Sequence, residues 1–594
     1  MTKTAVEGFH PSAAESGDQA LPSTTRPVIL GNSCVVSSGH WLVTLAASRI
    51  LLDGGNAFDA AAAATFAAAV VEPTSSFSLG AECVVMLREG SSGRSRALCG
   101  QGGAGRLATP SYFAERGHSV IPTGPGRSAP LAFTTPGMVG AILRLLEDYG
   151  TLPLAAVLAP AIEYAKSGYP CYHYMSSRLT DTGRQQLALF NSAAEKIFYP
   201  NGRAASPGTL IRQPALAAVL EQLAKAGDSG DRISGIREGR ALFYTGELAR
   251  KIAAASKALD GIISKEDLAD YREDYEEPAR TEFHGHTIAC QSFWSQAPIV
   301  LQALNMLECF DLRALGFNTA PYIHLVSEVL KLAFADREAY YGDPKFTHVP
   351  ADLLLSKDYA RERARLLNTV KAAPALPDPG TLTGHVRSRH LAANLIETLE
   401  PESGTTHISI VDRDSNVVAV TPSGGAFGKS VFLDDLGFTL STRSEMLNLI
   451  EGHPNCVAPG KRPRTTLVNY LSTAPNGDVF AFGCPGGDGQ AQANLQIMLN
   501  TIVWGMDPQQ AVEAPRFATN SMPNSFNPHA YFPGRLSLEH GIPESTGAAL
   551  SGLGHEIVRA ATCGMGAVVT KLDCASGVRS TSSDPRRSCH AIGW

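Results

Sequence analysis

Gly404-Thr405-Thr406-His407-Ile408-Ser409-Ile410-Val411-Asp412 stands two-thirds of the way along the chain, and its reading decides the fold. From His407 to Asp412 apolar and polar residues alternate, the period of a half-buried strand. Asp414-Ser415-Asn416 is turn chemistry and Val417-Val-Ala-Val-Thr421 resumes strand sequence, so the segment predicts a hairpin whose first strand starts at the Thr pair. Upstream, residues 371–404 carry Pro374, Pro377, Pro379, Gly380 and Gly384 and read as a flexible, cleavable linker. A Thr at a strand start behind such a linker has what an N-terminal nucleophile needs. Cutting Gly404–Thr405 gives Thr405 a free α-amine beside its own hydroxyl, and an amine with a pKa of about 7.7–8.0 can act as general base near neutral pH. Gly404 lacks a Cβ, which lets the strained geometry form. The plain alternative is that two Thr simply begin a strand, as Thr often does.

Composition narrows the classes. A chain of 594 residues with net charge −6 and 18% charged residues buries a large core and describes an ordinary soluble protein. No basic run suggests nucleic acid or a membrane surface as partner. The Ala-rich stretch from Ala60 to Val71 is too short to span a bilayer. Residues 1–27 are polar, without the apolar core of a signal peptide, and read as a disordered tail of a cytoplasmic protein. Eleven dispersed Cys read as reduced thiols, and no His or Cys pair sits at metal-ligand spacing, so neither a metal nor a cofactor is expected.

Helical spacing runs from His40 to Leu52. Asn56 is a capping residue for a second helix reaching about Val71. Further helices are expected over 137–149, 154–166, 215–226, 246–258, 264–271, 298–310, 320–341 and 356–367, and strands over 82–87 and 96–99. After Thr405 the character switches to strands at 407–412, 417–421, 436–441, 467–471 and 478–482. A helix over 489–504 and a final β segment near 566–580 follow. Helices first, strands and one buried helix afterwards, is layered α+β.

Seven motifs in order carry a resemblance over nearly the whole chain. They are Gly54-Gly-Asn-Ala-Phe-Asp-Ala-Ala61, Gly261-Ile-Ile-Ser-Lys-Glu-Asp-Leu268, Thr405-Thr-His407, Pro459-Gly-Lys-Arg-Pro463, Pro485-Gly-Gly487, Ala514-Pro-Arg-Phe517 and Asp584-Pro-Arg-Arg587. Together they resemble the γ-glutamyltransferase family of N-terminal-nucleophile hydrolases. The resemblance implies a four-layer αββα sandwich, one fold built by a large subunit, 28–404, and a small subunit beginning at Thr405. The two would form a heterodimer cut from one chain, with a higher oligomer possible. It also implies the nucleophile Thr405, an oxyanion hole at Gly486 and Gly487, a supporting hydroxyl at Ser423, and Thr421 as a second supporting hydroxyl.

The acyl pocket departs from the family pattern. Its small hydroxyl pair survives as Thr465 and Thr466, but the large-subunit Arg that would hold an α-carboxylate aligns near Gln101. The Asp that would hold an α-amine becomes Met446, and the preceding Asn becomes Gly424 or Gly425. An ammonium without its counter-charge is costly in a closed pocket. Arg443 brings a cation into that segment and suits a planar carboxylate. A one-residue slip would instead restore an acid at Glu445, and a solvated surface Arg443 is the plain alternative. The expected substrate is therefore a small carboxylate-bearing acyl compound without an α-amine.

Gly-Gly-Asp488 and Gly452-His-Pro-Asn455 resemble the divergent branch of the family. That branch includes oxamate and cephalosporin-type amidohydrolases, and natural-product enzymes of alkylproline pathways that hydrolyse a C–C bond beside an oxalyl group. A classical glutathione hydrolase and a non-catalytic scaffold are the alternatives. Two glycine-rich stretches, 423–430 and 100–105, lack the context of nucleotide loops.

Overall fold

The computed structural model describes residues 23–228, 230–382, 394–395, 404–425 and 427–594. Two seven-stranded sheets form its centre. In one, the strands run in the spatial order Ile29–Gly31, Arg579–Thr581, Val568–Leu572, Val479–Gly483, Tyr470–Thr473, His286–Cys290, Ala279–Phe283. In the other the order is His590–Gly593, Val35–Ser38, Ile408–Val411, Val417–Ser423, Glu82–Arg88, Ser95–Gly100, Asp274–Glu276. Both sheets interleave strands from before and after Gly404, so neither stretch has a complete sheet alone.

Strand alternation builds the layers. Val35, Met86, Ala97, Val411, Val417 and Ala419 from one sheet meet Ala289, Leu471, Val479, Ala481 and Leu572 from the other in an apolar inter-sheet cluster. Intervening residues such as Val36, Val85, Ile408, Ile410, Val418 and Val420 point the opposite way, into the helices Trp41–Leu52, Ala57–Val71, Met138–Tyr149 and Leu154–Ser167. On the far side, Ile288, Tyr470, Phe482 and Val569 pack against Pro298–Leu307, Ala320–Tyr340 and Gly489–Ile502. This is the αββα sandwich. Ala57–Val71 is buried on every side, as a helix apolar nearly all round must be. Asn56 and Asp59 close a capping box at its start.

Several expectations shift. The hairpin is present as Ile408–Val411 and Val417–Ser423, in antiparallel register. The expected strand 436–441 shrinks to Phe438–Thr439. Seven of the fourteen central strands precede Gly404, where the reading expected mostly helices. The short segments 29–31, 35–38 and 274–290 offer too few residues to show a period. The linker is not loose throughout: Gly380 donates to Asp336 at 2.9 Å and accepts from Tyr340 at 2.5 Å, and Ala372 donates to Leu553 at 2.7 Å. Asn394–Leu395 pair in parallel with Ala530–Tyr531, and the rest of 383–403 lies outside the described residues. Ordered chain also begins before residue 28, since Thr25 and Arg26 bond Glu513 and Arg26 reaches the Cys589 carbonyl at 2.9 Å. Residues 1–22 are outside the described residues.

All eleven Cys are unpaired thiols. Among the described residues no helix is long and apolar enough to cross a membrane. One cluster was not legible from spacing: His324, Glu328 and His555 converge with ligand atoms within 4.8 Å of one another. Its groups already bond within the protein, His324 to His555 at 2.8 Å and Glu328 to Lys331 at 2.6 Å.

Candidate active site

The hairpin register places the site. Ile408 opposes Val420, and continuing that pairing sets His407 opposite Thr421 and Thr405 opposite Ser423. The side chains of all four therefore lie on the inter-sheet face, where Val411, Val417 and Ala419 also point. The Thr405 hydroxyl donates to Ser423 Oγ at 2.9 Å. Ser423 Oγ also accepts Arg443 Nη2 at 2.6 Å. Thr405 is 3% exposed and Ser423 fully buried.

Thr421 does not reach the nucleophile. Its hydroxyl bonds His407 Nδ1 at 2.8 Å and the Val468 carbonyl at 3.0 Å, and contacts Asn469. Two residues along a strand is about 7 Å, so Thr421 bonds His407, while among the described residues the Thr405 hydroxyl is bonded by Ser423. Burial drives the His407 pKa down to about 3, leaving a neutral ring between the sheets. The ring fills the space over Gly483, where a Cβ would stand 1.9 Å from His407 Cε1.

Arg443 is a buried residue, 4% exposed, and not a solvated one. Its Nε lies 3.0 Å from Glu82 Oε1, its Nη1 meets the Met446 thioether at 3.8 Å, and its guanidinium sits 5.0 Å from the Phe526 ring centre. Glu82 opens the strand Glu82–Arg88, beside Ser423 in register. Burial raises its pKa to about 7 against the lowering pull of Arg443. Its Oε1 accepts Thr465 Oγ1 at 3.3 Å, while Oε2 has no hydrogen-bond partner among the described residues.

Thr465 thus joins this group. Thr466 Oγ1 is buried and unpartnered, and its carbonyl accepts Gln296 at 2.8 Å. Gln101 is buried and donates to the Pro463 carbonyl at 2.7 Å, with Oε1 unpaired. Glu445 is buried and its carboxylate pairs with Lys429 at 3.3 Å.

Gly486 and Gly487 form the turn into the helix Gly489–Ile502, with φ of +117° and +50° that favour glycine. Both are buried, and among the described residues neither N–H donates to a protein acceptor. These two N–H groups stand at the head of a fourteen-residue helix, the positive end of its dipole. Asp488 braces the turn by accepting the Ser525 N–H at 2.7 Å and by pairing with the buried Arg337. A cavity of about 260 Å³ opens beside Gly486, lined by Met522, Asn524, Phe532, Arg535 and Met565 among others.

The family model for gamma-glutamyltranspeptidase matches residues 43–594. The chain belongs to the gamma-glutamyltranspeptidase family. As a member it is an N-terminal-nucleophile hydrolase or acyltransferase. The glutathione hydrolase proenzyme of Bacillus subtilis (strain 168) is 29% identical over 539 residues, covering 89% of this chain and 86% of that protein. Among solved structures, LmbA2991HD superposes with a TM-score of 0.89 at 35% identity, covering 96% of this chain and all of that one. The cephalosporin acylase from Bacillus halodurans superposes with a TM-score of 0.81 at 28% identity, covering 99% of each chain. Within the gamma-glutamyltranspeptidase family these neighbours place the chain with the divergent branch.

Two residues of the site escaped the sequence reading. Glu82 interrupts the apolar run Ala81-Glu-Cys-Val-Val85, and an acid there was a visible sign of a buried charge seeking a partner. Arg587 was noticed only as part of the tail motif.

Proposed function

We propose that the chain cuts itself at Gly404–Thr405 and that Thr405 then hydrolyses a small acyl compound carrying a carboxylate. The observation that supports this most is the position of Arg443, one hydroxyl away from Thr405, with Nη1 turned, among the described residues, to nothing stronger than the Met446 sulfur. A guanidinium edge so placed suits a substrate carboxylate through paired hydrogen bonds. Thr405 would attack the acyl carbonyl, its proton passing to its own α-amine. The N–H groups of Gly486 and Gly487 would take the developing oxyanion. Water then resolves the acyl-enzyme.

The bond broken is an amide, or a C–C bond next to an oxalyl or α-keto acid group of the kind cleaved in natural-product biosynthesis. Where the acyl group is oxalyl, in the amide as in the C–C case, the scissile carbonyl neighbours the carboxylate that Arg443 would bind. A second reading, a classical glutathione hydrolase, draws on the unpartnered Oε2 of Glu82, an acid within reach of an α-ammonium.

Mass spectrometry and N-terminal sequencing test the cut, with the smaller chain expected to begin Thr-Thr-His-Ile. Assay of N-oxalyl amides and oxalyl-substituted α-keto acids against γ-glutamyl p-nitroanilide tests the substrate class. Fast turnover of the γ-glutamyl compound alone would sink the carboxylate reading.

A further inference from the structure

Arg587 contacts the backbone of Thr405, and nothing in the chemistry above uses it. Its Nη1 donates to the Thr405 carbonyl at 2.5 Å, and its Nη2 reaches Ser75 Oγ and, at 3.2 Å, Glu72 Oε1. On the other side of the same residue, the Thr405 N–H donates to the Ser75 carbonyl. Thr405 is thus gripped at both of its backbone polar groups by one structure. Glu72 caps the end of the helix Ala57–Val71, Ser75 lies in the turn Pro73–Ser75 that follows, and Arg587 comes from the far end of the chain.

Between those two grips Thr405 has φ of +80°. A β-branched residue rarely adopts that conformation, and it persists only where surroundings impose it. Gly404 is pressed against the same turn, where a Cβ would come within 2.5 Å of Ser76 Oγ. Ser76 is itself left-handed, with φ of +54°. The strained torsion is defined by the Gly404 carbonyl carbon, so it ceases to exist once that carbon leaves the Thr405 nitrogen. Cleavage therefore relieves the strain while both grips stay in place.

We propose that Arg587, with Glu72 and Ser75, is a positioning device for maturation that holds Thr405 in its left-handed conformation and so speeds the break at Gly404–Thr405. The step balances within the chain and one water. Thr405 Oγ bonds to the Gly404 carbonyl carbon, the C–N bond breaks, and the hydroxyl proton ends on the Thr405 nitrogen. Water then hydrolyses the ester to a Gly404 carboxylate and restores the hydroxyl. In the cut protein the Ser75 carbonyl faces the new α-amine and orients it toward Oγ. Arg587 touches no reacting atom, so its role is positional.

The inference rests on Thr405 being the self-cleaving nucleophile, and the test separates the two. Full-length precursor is purified rapidly and its conversion to two chains is followed by intact mass. Thr405→Ala must stay whole; a cut Thr405→Ala chain overturns the nucleophile reading itself. Arg587→Gln is expected to mature at least about tenfold more slowly than wild type while keeping native near-UV circular dichroism. Added guanidinium is expected to restore part of the rate, which a merely structural loss would not allow.

Arg587→Gln strands the buried Glu72, so the double variant Glu72→Gln/Arg587→Met, which buries no unpaired charge, provides the second measurement. It is expected to fold and to mature as slowly. Maturation within twofold of wild type in either folded variant, with Thr405→Ala whole, overturns this inference alone. Failure of both to yield a folded precursor also overturns it, since the pair would then be an ordinary part of the core.

Discussion

Arg443 Nη2 donates to Ser423 Oγ at 2.6 Å, and Ser423 Oγ in turn accepts the Thr405 hydroxyl. A cation therefore acts on the nucleophile through one intervening oxygen. In the mechanism proposed above this would ease deprotonation of the Thr405 hydroxyl, because the developing alkoxide would lie close to a guanidinium in a buried setting. In the function proposed above, the same guanidinium would bind the substrate carboxylate and so couple binding to activation.

Removing the nucleophile gives the plainest outcome. Thr405→Ala is expected to remain a single chain and to show no turnover, because one residue supplies hydroxyl and base together. Gel electrophoresis after prolonged incubation checks the first and an acyl-hydrolysis assay the second. Conversion to two chains would remove Thr405 from the mechanism.

Arg443→Gln is expected to lower kcat/KM for a carboxylate-bearing donor by about 10–100-fold, the loss of one charged hydrogen bond worth about 1.5–3 kcal/mol. It also leaves Glu82 buried and unpaired, at a stability cost of about 3–5 kcal/mol. Glu82→Gln/Arg443→Met separates the effects: thermal stability returns toward wild type and activity does not. Recovery of both would make the pair structural only.

Glu82 predicts a pH dependence of binding. Burial raises its pKa to about 7, with Arg443 pulling the other way. Below pH 7 the protonated acid leaves the charge of Arg443 uncompensated. As pH rises through 7 the carboxylate forms and neutralises it. KM for a carboxylate donor is therefore expected to increase from pH 6 to pH 8, and Glu82→Gln to flatten the profile. The linked stability has the same sense: a folded pKa above the ordinary 4.5 favours the fold at low pH, and that advantage is lost as pH rises through 7. An identical KM profile in Glu82→Gln would discard this account.

Gly483→Ala inserts a methyl where the His407 ring stands 1.9 Å away. Both belong to the inter-sheet layer, so relief requires moving a strand or the ring. The expected cost is about 1–3 kcal/mol, read as a lower denaturation midpoint, together with slower appearance of the small chain. An unchanged midpoint would mean that the sheets separate there more easily than their packing implies.

Local chemistry was legible in the chain wherever one short segment carried the information. The hairpin after Gly404, the helix cap at Asn56, the Ala-rich buried helix and the glycine turn before Gly489 each depend on neighbours in sequence, and each is present. Periodicity and motif order were enough for the family and for the hairpin, whose first strand begins at Ile408, three residues after Thr405. They did reveal the strands Glu82–Arg88 and Ser95–Gly100 but not the other five central strands before Gly404, because strands of three to five residues show no period. Nor could they show that Thr421 serves His407, which follows from a pairing register that only the assembled hairpin defines. The charges were decided last. Arg443 finds Glu82 across 361 residues and Arg587 finds Glu72 across 515, and buried ions take their partners from whatever the fold brings near. Sequence determined which residues could do the chemistry; tertiary structure decided which of them touch, because burial makes pairing obligatory only after the sheets have closed.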